Sequence, residues 1–279
     1  MKFPAGWLSL LMALSLSLAP FAAARAADVS FSQGGREVVV HLPARLPPPG
    51  SRALVIVLHG GLGNAQRIAN QQSESALNMD AVADQRGFIV AYLNGTSVAR
   101  MLSDRMRGWN AGGGCCGQPA KNDVDDVGYI KTTVADLAAK YGVDRDKVFG
   151  IGHSNGAMMA QRVACETTVF AAVVAVSGPL TLDTSHCPAA AGRRVLAIHG
   201  AEDQNVPIDG GRGTRGVSGV AFKSEAYANQ IFTQSGGSYT LQVIPGADHA
   251  IDRINSVLLK TEGANIAEKA AQFFGIPAK

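Results

Sequence analysis

Six short apolar runs, each closed by a turn signal, constrain the fold of this chain more than any other feature. They are "ALVIVLHGG" (53–61), "GFIVAYL" (87–93), "KVFGIG" (147–152), "FAAVVAVSG" (170–178), "RVLAIHG" (194–200) and "YTLQVIPG" (239–246). Continuous apolar runs of this length read as strands buried on both faces, as in a parallel sheet. A further strand-like segment, "REVVVHLP" (36–43), comes before them, and helix-like patterns lie at 76–86, 125–140, 155–165, 222–234 and 263–274. Strands that alternate with helices imply right-handed crossovers, so the expected class is α/β with a mainly parallel central sheet and helices on both faces. Neither a repeat nor a low-complexity linker interrupts the pattern, and residues 27–279 are expected to form one domain.

The N-terminus carries Lys2, then an apolar stretch of Leu, Ala and Ser, then "AAARAA" ending at Ala27. That is the layout of a secretory signal peptide spanning 1–26, with Ala24 and Ala26 fitting the A-x-A cleavage rule. The apolar stretch is shorter than the roughly 20 residues that cross a bilayer. The expected localisation is therefore secreted or periplasmic. Cleavage after Ala26 leaves 23 basic and 22 acidic side chains, a net charge of +1. Such a balance gives no electrostatic basis for binding nucleic acid or an anionic membrane.

In open α/β sheets, ligands bind beyond the carboxyl ends of the strands. The strand exits here read "HGGLG", "NGTS", "GHSNG", "SGPL", "HGAED" and "GADHA". "GHSNG" (152–156) is a G-x-S-x-G between a predicted strand and a predicted helix, the context in which such a turn lifts the serine hydroxyl of Ser154 above the sheet. A serine needs an imidazole base, and the imidazole needs an acid to hold its tautomer. Of the six histidines, His249 in "GADHA" follows the last strand and suits the order Ser, acid, His. His41 reads as an edge-strand residue, His59 and His199 as turn organisers, and His153 as diverging from its neighbour Ser154. The acid comes from Glu202, Asp203 or Asp209, with Asp203 favoured because the exit must turn back toward the serine before Val206-Pro207. The N–H groups of Gly61, in "LHGGLGN", and of Asn155 are the candidate donors to an oxyanion.

A metal reading of "NDVDDVG" (122–128) fails, since a calcium loop needs an acid or amide at its fifth position and a glutamate at its twelfth. Asn122 or Asp123 is instead expected to cap the following helix, with Asp125 and Asp126 in its first turn.

With these residues in place, the chain resembles the polyhydroxybutyrate depolymerase and feruloyl/acetylxylan esterase group of secreted α/β-hydrolases. The resemblance rests on "VIVLHGG", "GWNAGGGCCG" followed by "VDDVGYI", "VFGIGHSNGAMMA", "HGAEDQNVPIDGG" and "GADH", in that order over most of the chain. It implies serine hydrolysis of carboxylic esters without metal or cofactor, on hydroxyalkanoate oligomers or on feruloyl or acetyl esters of plant polysaccharide. It also implies a triad of Ser154, Asp203 and His249. Ala250-Ile251-Asp252 departs from the tryptophan and proline that often follow the histidine in this group, which bears on the acyl subsite. A serine peptidase on the same fold and a non-catalytic binding protein are the alternative readings. Turnover of an activated ester against a peptide anilide separates the first from the esterase.

Four cysteines, Cys115, Cys116, Cys165 and Cys187, travel with the chain into an oxidising compartment, and an even count there favours pairing. Adjacent cysteines have neither redox-motif nor zinc-site spacing. Three pairings are open. Cys165 with Cys187 is the natural local bridge and leaves Cys115 and Cys116 joined or free. The glycine-loosened loop "GWNAGGGCCGQ" then becomes a wall of the site, expected to hold Trp109 near the acyl pocket.

Overall fold

The computed structural model describes Met1 and residues 25–99 and 105–278. The expected signal peptide falls almost wholly outside them. Among the described residues no helix is long and apolar enough to cross a membrane.

Eight strands form one sheet: β1 (Ala27–Gln33), β2 (Arg36–Leu42), β3 (Arg52–Leu58), β4 (Ile89–Leu93), β5 (Val143–His153), β6 (Ala172–Val176), β7 (Arg194–Gly200) and β8 (Ser238–Ile244). Their order is β1-β2-β4-β3-β5-β6-β7-β8. The pairs β1–β2 and β2–β4 are antiparallel and every later pair is parallel, so the sheet is mainly parallel, as its apolar runs dictate. Along β3 successive side chains alternate between two cores. Leu54, Ile56 and Leu58 enter one, while Ala53, Val55 and Val57 enter the other.

Among the described residues eight helices flank the sheet: α1 (Ala65–Ala69), α2 (Met79–Arg86), α3 (Gly117–Lys121), α4 (Asp126–Tyr141), α5 (Asn155–Glu166), α6 (Glu225–Gln234), α7 (Ile251–Glu262) and α8 (Ile266–Phe273). The first core takes α4, α5 and α6, through Ile130, Met159 and Ile231; the second takes α2, α7 and α8, through Val82, Ile254 and Ala270. Helix α4 starts later than its sequence suggests. Asp125 is its cap, accepting the N–H of Gly128 at 2.7 Å, and neither Asn122 nor Asp123 fills that place. Asp126 is buried instead, bonded to Arg36 at 2.5 Å and to the Asn110 N–H at 2.7 Å. This ion pair pins the start of α4 to β2 and to the loop that precedes α3.

Cys165, at the end of α5, is bonded to Cys187, and Cys115 to Cys116. The first bridge closes a loop of sequence separation 22 around β6. Replacing Cys165 and Cys187 together by serine is expected to cost about 3 kcal/mol of unfolding free energy, the loop-closure entropy of a chain segment this long. Urea unfolding of the oxidised protein and the double variant checks this, and equal midpoints would refute it.

Candidate active site

Ser154 stands between β5 and α5 in a left-handed conformation, φ 53° and ψ −122°, that L-residues adopt only under constraint. The constraint is visible on both sides. A Cβ on Gly152 would run into the Gly156 carbonyl, and a Cβ on Gly156 would run into the carbonyls of Leu58 and His59. The Ser154 N–H is held by the Val176 carbonyl at 2.8 Å, and its own carbonyl accepts the Met158 N–H at 3.0 Å. The elbow therefore needs glycine at both flanks, and the rigid turn fixes the hydroxyl at the sheet's carboxyl edge.

The exits of β7 and β8 bring up the other two residues. His249 Nδ1 lies 2.7 Å from Asp203 Oδ2, and the Asp203 side chain is fully buried. Asp203 Oδ1 accepts the N–H groups of Asn205 and Val206 at 2.8 and 2.9 Å. Burial alone would push this carboxyl up, but the bonds from His199 and His249 hold it well below the usual carboxylate range. It is an anion at any working pH. Glu202 and Asp209 are both exposed, and neither bonds to His249. Ser154 and His249 line the same cleft, with a volume of about 570 Å³. Among the described residues Ser154 Oγ makes no hydrogen bond to His249, whose Nδ1 is committed to Asp203. Such bonds commonly tighten only when substrate arrives.

Gly61 and Asn155 also line the cleft. A Cβ on Gly61 would come within 3.7 Å of the Asn155 Cβ, so the loop after β3 abuts the first turn of α5. The positive end of α5 points its first N–H groups toward the space beside Ser154.

Trp109 is not at the pocket. Its ring is fully buried, its Nε1–H donates to the His59 carbonyl at 2.9 Å, and it packs beside the His59 and Tyr129 rings. The largest apolar side chain of the loop gains more from the core than from a wet cleft, and its one polar atom finds a buried acceptor there. Cys116 and Gly117 of the same loop reach the cleft in its place. The Asn155 side chain ties this loop to the elbow, accepting the Trp109 N–H at 2.7 Å and donating to the Trp109 carbonyl at 3.1 Å.

Two further histidines support the site: His153 does turn from Ser154, toward His249, and His199 does more than organise its turn. His153 sends Nε2 to the His249 carbonyl at 2.9 Å and packs its ring against that of His249. Burial, with the neighbouring His249 charge adding to it, pulls His153 down to about 3, so it is a neutral brace for the histidine loop. His199 sits behind the acid. Its Nε2 is 3.1 Å from Asp203 Oδ2 and 2.9 Å from the Val206 carbonyl, and its Nδ1 is 2.7 Å from Glu225 Oε1. Glu225 accepts the hydroxyl of Tyr239 as well. Burial acts to lower His199, but hydrogen bonds to Asp203 and Glu225 overcome it and push the imidazole up to about 9. The acid is thus shared by two histidines, one of them a buried cation. The i, i+4 spacing of His199 and Asp203 in "HGAED" was the only sequence signal for this; Glu225 and Tyr239 carried none.

Potential metal ligands lie elsewhere. Atoms of Asp28, His41 and Asp80 fall within 4.8 Å of one another at the antiparallel edge of the sheet. Both His41 nitrogens are already engaged, with Asp28 at 2.7 Å and Asp84 at 3.0 Å, which makes the cluster a hydrogen-bonded imidazole rather than an open donor set.

An elbow serine at the carboxyl edge of a sheet in this order, with an acid and a histidine on the exits of the last two strands, defines an α/β-hydrolase. The sequence profile of the phospholipase/carboxylesterase family matches residues 47–253, and the chain belongs to that family. It is 34% identical over 168 residues to the putative esterase NocK of Nocardia uniformis subsp. tsuyamanensis, covering 58% of this chain and 43% of that protein. It is 30% identical over 182 residues to the probable feruloyl esterase C of Aspergillus clavatus, covering 64% of this chain and 58% of that one. The chain thus spans about half the length of these relatives. Among solved structures, the acetyl xylan esterase from Aspergillus awamori superposes with a TM-score of 0.55 at 16% identity, covering 90% of this chain and 99% of that one, a likeness of fold.

Proposed function

We propose that residues 27–279 form a single-domain, exported serine ester hydrolase acting on carboxylic esters of the feruloyl, acetyl or hydroxyalkanoate kind. The observation that carries this reading is the 2.7 Å bond from His249 to the buried Asp203, beside an elbow serine in the same cleft. Membership of the phospholipase/carboxylesterase family supports it independently.

In this reading Ser154 Oγ attacks the ester carbonyl while His249 Nε2 takes its proton. Asp203 holds the opposite ring nitrogen and stabilises the imidazolium. The N–H groups of Gly61 and Asn155 receive the negative charge that develops on the carbonyl oxygen. His249 returns the proton to the departing alcohol. Water then repeats the sequence on the acyl-serine, releasing the acid and restoring the hydroxyl.

Incubation with an organophosphate ester, followed by peptide mass mapping, tests the nucleophile. One adduct per chain on Ser154, formed in step with loss of 4-nitrophenyl acetate hydrolysis, is the expected result. An adduct elsewhere, or full activity in the labelled protein, overturns the reading. Methyl ferulate, acetylated xylan and hydroxybutyrate oligomers, compared with a peptide anilide, rank the substrate classes.

A further inference from the structure

Among the described residues the cleft around Ser154 is charged in one direction only. Arg67 and Arg215 line it, and no described aspartate or glutamate does. A chain whose processed form is almost neutral has no general excess of cations to spread there. The two arginines differ in what lies beyond them. Arg215 borders a side pocket that also holds Glu74, Glu202, Asp248 and Asp252, so its field is cancelled locally. Arg67 borders a groove that continues past Leu62 and Asn64 to Arg105 and Arg107. The one acid of that groove among the described residues is Glu37, which already accepts the Gln66 side chain at 2.5 Å. Arg107 is tied to the Gly95 carbonyl at 2.9 Å, whereas the exposed Arg67 guanidinium makes no ion pair or side-chain hydrogen bond among the described residues. A guanidinium held on the first helix after the β3 loop, with its donors unused, stands next to the proposed oxyanion loop.

We propose that this enzyme selects esters bearing a free carboxylate, with Arg67 as the residue that seats it. The proposal rests on the esterase reading and adds the charge of the substrate. Arginine is always protonated and presents a fork of donors that matches a carboxylate, so an anionic ester gains a charge-assisted contact that its neutral analogue lacks. The groove beyond supplies the longer-range attraction, which raises encounter rates and is screened by salt. The carboxylate can sit on the acyl chain or on the leaving alcohol. A hydroxy-acid oligomer has the second arrangement, and a dicarboxylic half-ester has the first.

Two matched pairs decide between these arrangements and test the proposal: mono-4-nitrophenyl adipate against 4-nitrophenyl hexanoate, and the hydroxybutyrate dimer against its methyl ester, scored by cleavage of the internal ester. In at least one pair, kcat/KM for the charged member is expected to exceed that for the neutral one by about tenfold at low salt and to fall severalfold at about 0.5 M NaCl. The ratio should drop to near unity in Arg67→Gln and persist in Arg215→Gln. A ratio at or below unity in both pairs, or one that Arg67→Gln leaves intact, overturns the proposal while the esterase reading stands. Failure of the wild-type protein to hydrolyse any of the four esters removes the esterase reading itself.

Discussion

Replacing Ser154 by alanine is expected to lower kcat/KM on 4-nitrophenyl acetate by roughly 10⁴- to 10⁶-fold, the scale seen when a triad nucleophile is removed. Among the described residues the cleft holds two other hydroxyls, Ser75 and Ser218, and neither stands on the elbow between β5 and α5. His153 is neutral and committed to the His249 carbonyl, and the four described cysteines are all paired. The small remainder reflects binding and the oxyanion donors, which the substitution leaves in place. Alanine keeps the elbow's left-handed backbone, so the far-ultraviolet circular dichroism spectrum and the urea midpoint should match the wild type. Steady-state kinetics on the purified variant provide the check. Activity within tenfold of wild type, from a folded variant free of wild-type contamination, would dismiss Ser154 as nucleophile.

Glu225→Gln should produce the largest loss of stability. The wild-type carboxylate is buried against His199 at 2.7 Å and also takes the Tyr239 hydroxyl. Removing one member of such a pair typically costs about 3–5 kcal/mol. The effect carries a pH signature. His199 titrates at about 9 in the fold, above its ordinary value of 6.5. A group raised in this way contributes stability that is complete below the ordinary value and is lost as pH rises through the folded value. Wild-type unfolding free energy should therefore fall by about 3 kcal/mol between pH 6.5 and 10 through this group. In Glu225→Gln the decline should flatten, because the carboxylate that retains the proton is gone. Urea titrations of both proteins at several pH values measure the two slopes. Parallel profiles would sink the assignment of a buried imidazolium.

Much of the fold was legible because its strands are buried on both faces. "RVLAIHG" coincides with β7, and the helix-like stretch at 155–165 lies within α5. The strand Ala27–Gln33 escaped because its residues are mostly exposed and polar, so β1 depends on pairing with β2 rather than on an apolar pattern of its own. Helix α7 escaped although Ile251, Ile254 and Leu258 carry an i, i+3, i+7 stripe, since its cap position is Ala250, which offers no side-chain start signal. In the site, Ser154, Asp203 and His249 could be proposed from strand exits because strand order dictates which loops meet; the structure puts His249 against Asp203 and in one cleft with Ser154. Trp109 could not, since nothing in "GWNAGGG" says whether the ring turns toward the cleft or the core. Glu225 and Tyr239 were beyond reach for another reason: each is an ordinary residue of its own element, and only the packing of α6 on β8 turns them into support for Asp203.

The order of the sheet is also an order in time. A chain that has emerged as far as residue 193 already contains the residues of the elbow, of the loop after β3 and both cysteines of the Cys165–Cys187 bridge. It holds neither Asp203 nor His249, nor the Glu225 and Tyr239 that support the acid. Those arrive with β7 and β8, the last two strands added at one edge of the sheet. The proposed hydrolytic centre is thereby complete only when the chain is nearly finished, and a copy that stops before β7 lacks two of its three groups.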